Sequence, residues 1–88
     1  MKRVIWKTAL KPAPMQAVPL PAGAMILSAA TQDDGPCIWY LCDPFAPKIN
    51  RLIYTVPTGG NAPPDGSRFI GTVLLSDGAF VVHIFEKG

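Results

Sequence analysis

The sequence predicts an all-β domain: a small antiparallel sandwich or partly open barrel of about seven short strands, with little or no helix. Three observations predict it. Short apolar runs alternate with Pro- and Gly-rich breaks along the 88 residues, and no stretch holds a helical period. Two Asp-Gly pairs, Asp34-Gly35 and Asp77-Gly78, sit between apolar runs, where a tight hairpin turn needs residues that tolerate positive φ.

Residues 3–10 (RVIWKTAL) alternate imperfectly, with Val4, Trp6 and Thr8 against Ile5 and Lys7, and read as a first strand closed by Pro12 and Pro14. Residues 15–20 form a short extended piece that Pro19 confines to an edge or a bulge, and Pro21-Ala22-Gly23 turns the chain. Residues 24–43 are the organising hairpin, AMILSAATQ and CIWYLCD joined through DDGP. Pro36 cannot donate a ladder hydrogen bond and so suits the mouth of the second arm, which carries Trp39 and Tyr40.

Pro44 to Pro47 make a compact connection to the next strand, residues 48–56 (KINRLIYTV), with Leu52, Tyr54 and Val56 on one face. Residues 57–66 hold three prolines and three glycines and read as the longest loop. Residues 67–75 and 79–87 form a second hairpin about Ser76-Asp77-Gly78, and Gly71 within its first arm marks a bulge or a close backbone approach. Two arms are apolar on both faces. Ile38, Tyr40 and Cys42 stand against Cys37, Trp39 and Leu41, and Phe80, Val82 and Ile84 against Val81 and Phe85. Antiparallel strands usually keep one face wet, so these are covered within the fold or by another copy.

The length allows a single domain, residues 1–88, with a thin core. Charged residues make up only 16% of the chain against 49% hydrophobic, which points to self-association. The net charge of +2 is too small to act by itself as an electrostatic footprint for nucleic acid or an anionic membrane. Met1-Lys2-Arg3 resembles the start of a signal peptide, but Lys7 and Lys11 interrupt the apolar segment that should follow, so no secretion by a signal peptide is expected. The uncharged run 12–32 is long enough to span a bilayer, yet four prolines and Gly23 break it as a lipid-embedded helix, and no membrane association is expected. Cys37 and Cys42 are five apart in one strand, on opposite faces and about 16 Å apart, too far to bridge. Both read as free thiols acting as small buried hydrophobes.

Seven short segments carry a resemblance: Ile5-Trp6-Lys7, Pro21-Ala22-Gly23-Ala24, Gly35-Pro36-Cys37-Ile38-Trp39, Asp43-Pro44, Thr58-Gly59, Phe69-Ile70-Gly71-Thr72 and Val82-His83-Ile84-Phe85-Glu86. In these the chain resembles a family of small, uncharacterised proteins of tailed bacteriophages and prophages. The resemblance implies a compact β domain of phage or prophage origin, located in the bacterial host cytoplasm or the virion, and carries no activity with it. Residues 59–64 are where members are expected to vary.

Residue types that carry catalysis are sparse. His83, the only histidine, lies between Val82 and Ile84 without a nucleophile at motif spacing, and is expected to be a core or interface histidine making one hydrogen bond. Asp33, Asp34, Asp65 and Asp77 sit in Gly-containing turns where they satisfy local backbone, and Asp43 before Pro44 reads the same way. Two cysteines on opposite faces with one distant histidine do not make a zinc site, and Gly59-Gly60 lacks the setting of a phosphate loop. No catalytic residue, metal or cofactor is expected.

What is left is a binding surface. The leading expectation is a non-enzymatic structural or interaction module that self-associates, or joins another phage protein, through apolar strand faces. Trp6, Trp39, Tyr40, Tyr54 and Phe69 are the candidate contacts. The alternative is a small β-barrel that binds single-stranded nucleic acid on Lys2, Arg3, Lys7, Lys48, Arg51 and Arg68 interleaved with Trp6, Tyr54 and Phe69, although strand edges also carry Lys and Arg simply to prevent pairing.

Overall fold

The structure is a computed structural model that describes residues 2–33 and 35–88. Met1, read as part of a charged start, and Asp34, read as a turn residue, lie outside the described residues. The strands are β1 (Val4–Ala9), β2 (Met15–Pro21), β3 (Met25–Gln32), β4 (Gly35–Cys42), β5 (Lys48–Pro57), β6 (Arg68–Leu75) and β7 (Phe80–Glu86). They form a three-stranded sheet, β1-β4-β3, and a four-stranded sheet, β2-β5-β7-β6, with every pairing antiparallel. The two sheets do not close into a barrel, and the molecule is an open sandwich.

The two doubly apolar arms occupy interior positions in their sheets, β4 between β1 and β3 and β7 between β5 and β6. Ile38, Tyr40 and Cys42 of β4 enter the space between the sheets, where they meet Leu20, Ile26, Ile53, Val73 and Ile84. Cys37, on the opposite face of β4, is also buried, and both thiols are free. Pro19 falls on β2, an edge strand, where its missing N–H costs no ladder bond.

The sheets join along β3 and β6. Arg68 Nη2 donates to the Ile26 carbonyl at 2.9 Å, and the Thr31 hydroxyl donates to the Leu74 carbonyl. Between these two ties Gly71 lies against Ala29, so closely that a Cβ would stand 3.4 Å from the Ala29 backbone N and O. Both readings of Gly71 hold. The β6–β7 register shifts between Phe69 and Gly71, and the β3–β4 register shifts at the same level of the seam, between Ile26 and Ser28. Bulges bend a strand and sharpen its twist, which lets two edges approach without a backbone ladder between them.

The turns follow local chemistry with one displacement. Gly35 is already the first residue of β4, paired with Gln32, and Asp33 takes the left-handed backbone (φ 53°). In the second hairpin Ser76, Asp77 and Gly78 all have positive φ, forming a short 3₁₀ turn in which only Gly78 escapes the Cβ clash. The connection from β1 to β2 is clamped by Gln16, whose amide accepts from the Lys11 N–H and donates to the Lys11 carbonyl, both at 2.9 Å.

Candidate interaction face

The strand registers fix what the outside of the four-stranded sheet displays. Met15 lies opposite Tyr54, Tyr54 opposite Phe85, and Phe85 opposite Phe69, so one row of large side chains crosses all four strands. The Phe69 and Phe85 rings meet edge to face at 5.4 Å. The next row runs Val56, His83, Thr72, and the one beyond it Val81 and Leu74. On the other side of the aromatic row stand Ala17 and Leu52. Met15, Phe69 and Leu74 are more than half exposed.

Among the described residues, the strands of this face carry no acidic side chain by alternation, and their charges are Lys48 at the start of β5 and Lys87 just past β7, both at one end. A partly exposed four-stranded face with charge only at one end differs from an ordinary wet sheet surface, which is polar. On monomeric soluble proteins in general, contiguous exposed apolar patches of more than a few hundred Å² are uncommon away from contact surfaces.

His83 sits in the middle of this face, half-buried. The Thr58 hydroxyl lies 2.8 Å from Nε2 and the Thr72 hydroxyl 3.0 Å from Nδ1, so both ring nitrogens are satisfied and the ring is held in place. The histidine thus has two partners rather than the expected one. No carboxylate or thiol joins the ring in these two contacts.

Five aromatic residues stand out in the sequence as candidate contacts, and the structure divides them. Tyr54 and Phe69 share the aromatic row, linked through Phe85. Tyr40 is buried between the sheets and belongs to the core. Trp6 lies opposite Tyr40 on edge strand β1 and is 40% exposed, while Trp39 is half-buried on the outside of the other sheet. Met15, Leu74 and Phe85 complete the face although nothing in their local sequence distinguishes them; only the register between strands distant in the chain brings them together.

The six basic residues of the nucleic-acid reading separate in the same way. Arg51 and Arg68 turn between the sheets toward Glu86, which is buried: Arg51 Nε donates to its carboxylate and Arg68 Nη2 stands 3.9 Å away. Arg51 Nη1 also donates to the Ala24 carbonyl at 2.8 Å. Lys2, Arg3, Lys7 and Lys48 are exposed. The Lys7 ammonium bonds the Gln32 side chain across the three-stranded sheet.

Among the described residues, clefts flank the sandwich. One of about 340 Å³ opens between the sheets, opposite the Arg51–Glu86 end, against Pro36, Pro57, Phe80 and Val82, with Lys11 at its rim. Another, about 480 Å³, lies under residues 60–64 of the long loop against Met15 and Tyr54. Among the described residues no three His, Cys, Asp or Glu side chains gather where a metal ion could be held, and no helix is long and apolar enough to cross a membrane. Asp43 caps its own turn, accepting from the Phe45 N–H at 3.0 Å.

A family model described as a domain of unknown function, DUF7352, matches residues 1–88. The chain belongs to this family. No curated protein and no solved structure matches it. For a DUF7352 chain, then, functional inference rests on the surfaces just described.

Proposed function

We propose that this DUF7352 chain is a non-enzymatic interaction module, encoded by a phage or prophage as its motifs suggest, that assembles with a second copy through the outer face of its four-stranded sheet. The observation that carries the reading is the uncharged row Met15, Tyr54, Phe85, Phe69 with Leu74 beside it. A face whose charges are two lysines at one end opposes self-docking little away from that end, and its exposed aromatic and aliphatic groups gain by leaving water, about 25 cal/mol per Å².

The size is adequate. Four strands about 4.8 Å apart and about four rows of side chains at roughly 6.7 Å give a face of roughly 500 Å². Two copies in contact cover roughly 1,000 Å² before side-chain relief is counted, near the lower bound of a specific interface. A nucleic acid, by contrast, would meet no cation across most of this face, and two of the six basic residues are committed to Glu86.

Light scattering during size-exclusion chromatography tests the proposal, at two protein concentrations and at low and high salt. A mass that is a multiple of 9.4 kDa, insensitive to salt and at least halved by Leu74→Asp, is the expected result. A wild-type monomer at all concentrations, or a mass unchanged by Leu74→Asp, overturns it. Binding of a single-stranded oligonucleotide that falls steeply with salt would favour the nucleic-acid reading instead.

A further inference from the structure

We infer that β1 is a second, separate docking element, the edge at which two copies pair strand to strand and extend the three-stranded sheet across a two-fold axis. The two sheets have four edge strands, β1, β3, β2 and β6. β3 and β6 cover one another along the seam, through Arg68 on Ile26, Gly71 on Ala29 and Thr31 on Leu74. β2 carries Pro19 and Pro21, which cannot donate to a neighbouring strand. β1 pairs with β4 on one side only. Its sequence, VIWKTA, contains no proline or glycine, and its pairing with β4 runs without a register shift.

Edge strands are ordinarily protected by an outward lysine, a proline, a bulge or a covering segment. The one charged residue of β1 is Lys7, and its ammonium is turned inward over β4 to bond Gln32 of β3. That leaves Ile5 (60% exposed) and Trp6 (40% exposed) beside unpaired backbone. Such an edge accepts another strand through main-chain hydrogen bonds, with side chains setting the register.

The occupant that fits is β1 of a second copy. In an antiparallel pair about a two-fold axis, residues directly opposite must lie on the same face, so the axis passes through a residue. Centring on Lys7 opposes two ammonium groups. Centring on Trp6 instead places the two indoles opposite each other, sets Ile5 against Lys7 and sets Val4 against Thr8, with no like charges facing. The structure therefore assigns the Trp6-centred register.

This contact uses a different surface from the outer face of the four-stranded sheet, and the two are tested apart. In the Leu74→Asp background, light scattering is expected to give twice 9.4 kDa. In the same background, Trp6→Cys should form an intermolecular disulfide on mild oxidation, whereas Lys7→Cys should not. Because Trp6→Cys removes the paired indoles, hydrogen exchange on the protein with Trp6 intact supplies a second reading. An unpaired edge protects only alternate amides of β1, and pairing should protect the intervening ones as concentration rises. A monomer with alternate β1 amides exchanging at every concentration overturns the inference, and so does cross-linking through Lys7→Cys in place of Trp6→Cys.

Discussion

Arg51 and Glu86 form an ion pair at the closed end of the sandwich, and Arg51 extends it to the other layer by holding the Ala24 carbonyl at 2.8 Å. One guanidinium therefore ties β5, β7 and the start of β3. Glu86 is 7% exposed, so removing Arg51 would strand a buried carboxylate, and removing Glu86 would leave a guanidinium facing the core without its counter-charge. Breaking one side of a buried pair costs about 3–5 kcal/mol, and the 20% exposure of the Arg51 side chain places this case toward the lower end. Glu86→Ala is expected to lower the unfolding free energy by about 3 kcal/mol in urea titration. Arg68→Ala, whose side chain is 52% exposed, should cost under about 1 kcal/mol.

The Gly71–Ala29 approach makes its own prediction. Replacing glycine in a strand lowers the entropy of the unfolded chain and by itself stabilises by about 0.4–1 kcal/mol. Here the new methyl would press on the Ala29 backbone at 3.4 Å, and backbone yields less readily than a side-chain tip. Overpacking costs about 1–3 kcal/mol, so Gly71→Ala should be destabilising by about 1 kcal/mol and Gly71→Val by clearly more. The denaturation midpoints of the two variants check the order.

These two sites mark the limit of what was legible in the sequence. Gly71 could be read as a bulge or a close approach because a glycine inside an apolar run has few other uses, but Ala29 as its partner could not, since the seam joins strands more than forty residues apart. Asp-Gly turns and proline breaks act within a few residues, so all seven strands and both hairpins follow from local chemistry. Glu86 was invisible as an ion-pair partner for the same reason that Phe85 was invisible as the link between Tyr54 and Phe69. Each depends on the β5–β7–β6 register, and alternation within one strand says which residues share a face but not what lies opposite. Trp6 and Tyr40 show the reverse case: both looked like contact residues, and register placed Tyr40 opposite Trp6 but one strand further in, inside the core.

Cys42 and Tyr40 predict an alkaline limit to stability. Burial raises the Cys42 thiol above its ordinary 9.0, with the charge of Asp43 adding to the shift. Burial likewise raises Tyr40 above 10.0, with Cys42 as the second cause. In both, the folded chain keeps a proton that the unfolded chain gives up first. Their stabilisation is therefore complete below the unfolded values and is lost as pH rises through the folded ones. Unfolding free energy should be level with respect to these groups up to about pH 8 and fall above about pH 9, and Cys42→Ala should flatten the first part of that fall. A thiol-reactive dye at pH 8 should label Cys42 far more slowly than the same residue in the urea-unfolded chain.

The Phe69–Phe85 pair separates the energetics of the fold from those of assembly. Phe69 is 55% exposed and touches Phe85 edge to face, a contact worth about 0.5–1.5 kcal/mol beyond its area. In an isolated subunit Phe69→Ala should therefore cost only about 1 kcal/mol. If the row is covered by a partner, the same side chain becomes an aromatic contact at the β6 end of the row, where truncation costs a further ~1 kcal/mol or more, on the order of a fivefold to tenfold loss of affinity. Assembly also makes thermal stability depend on concentration, because a partner that binds only the folded chain shifts unfolding by mass action. The wild-type melting temperature should rise with protein concentration, and Phe69→Ala should weaken that dependence to the part carried by β1 pairing while lowering the dilute-limit melting temperature by only a few degrees. Scanning calorimetry across a hundredfold range of concentration measures both. A concentration dependence as steep after Phe69→Ala as before it would move the interface off the four-stranded face and leave β1 as the contact that holds the copies together.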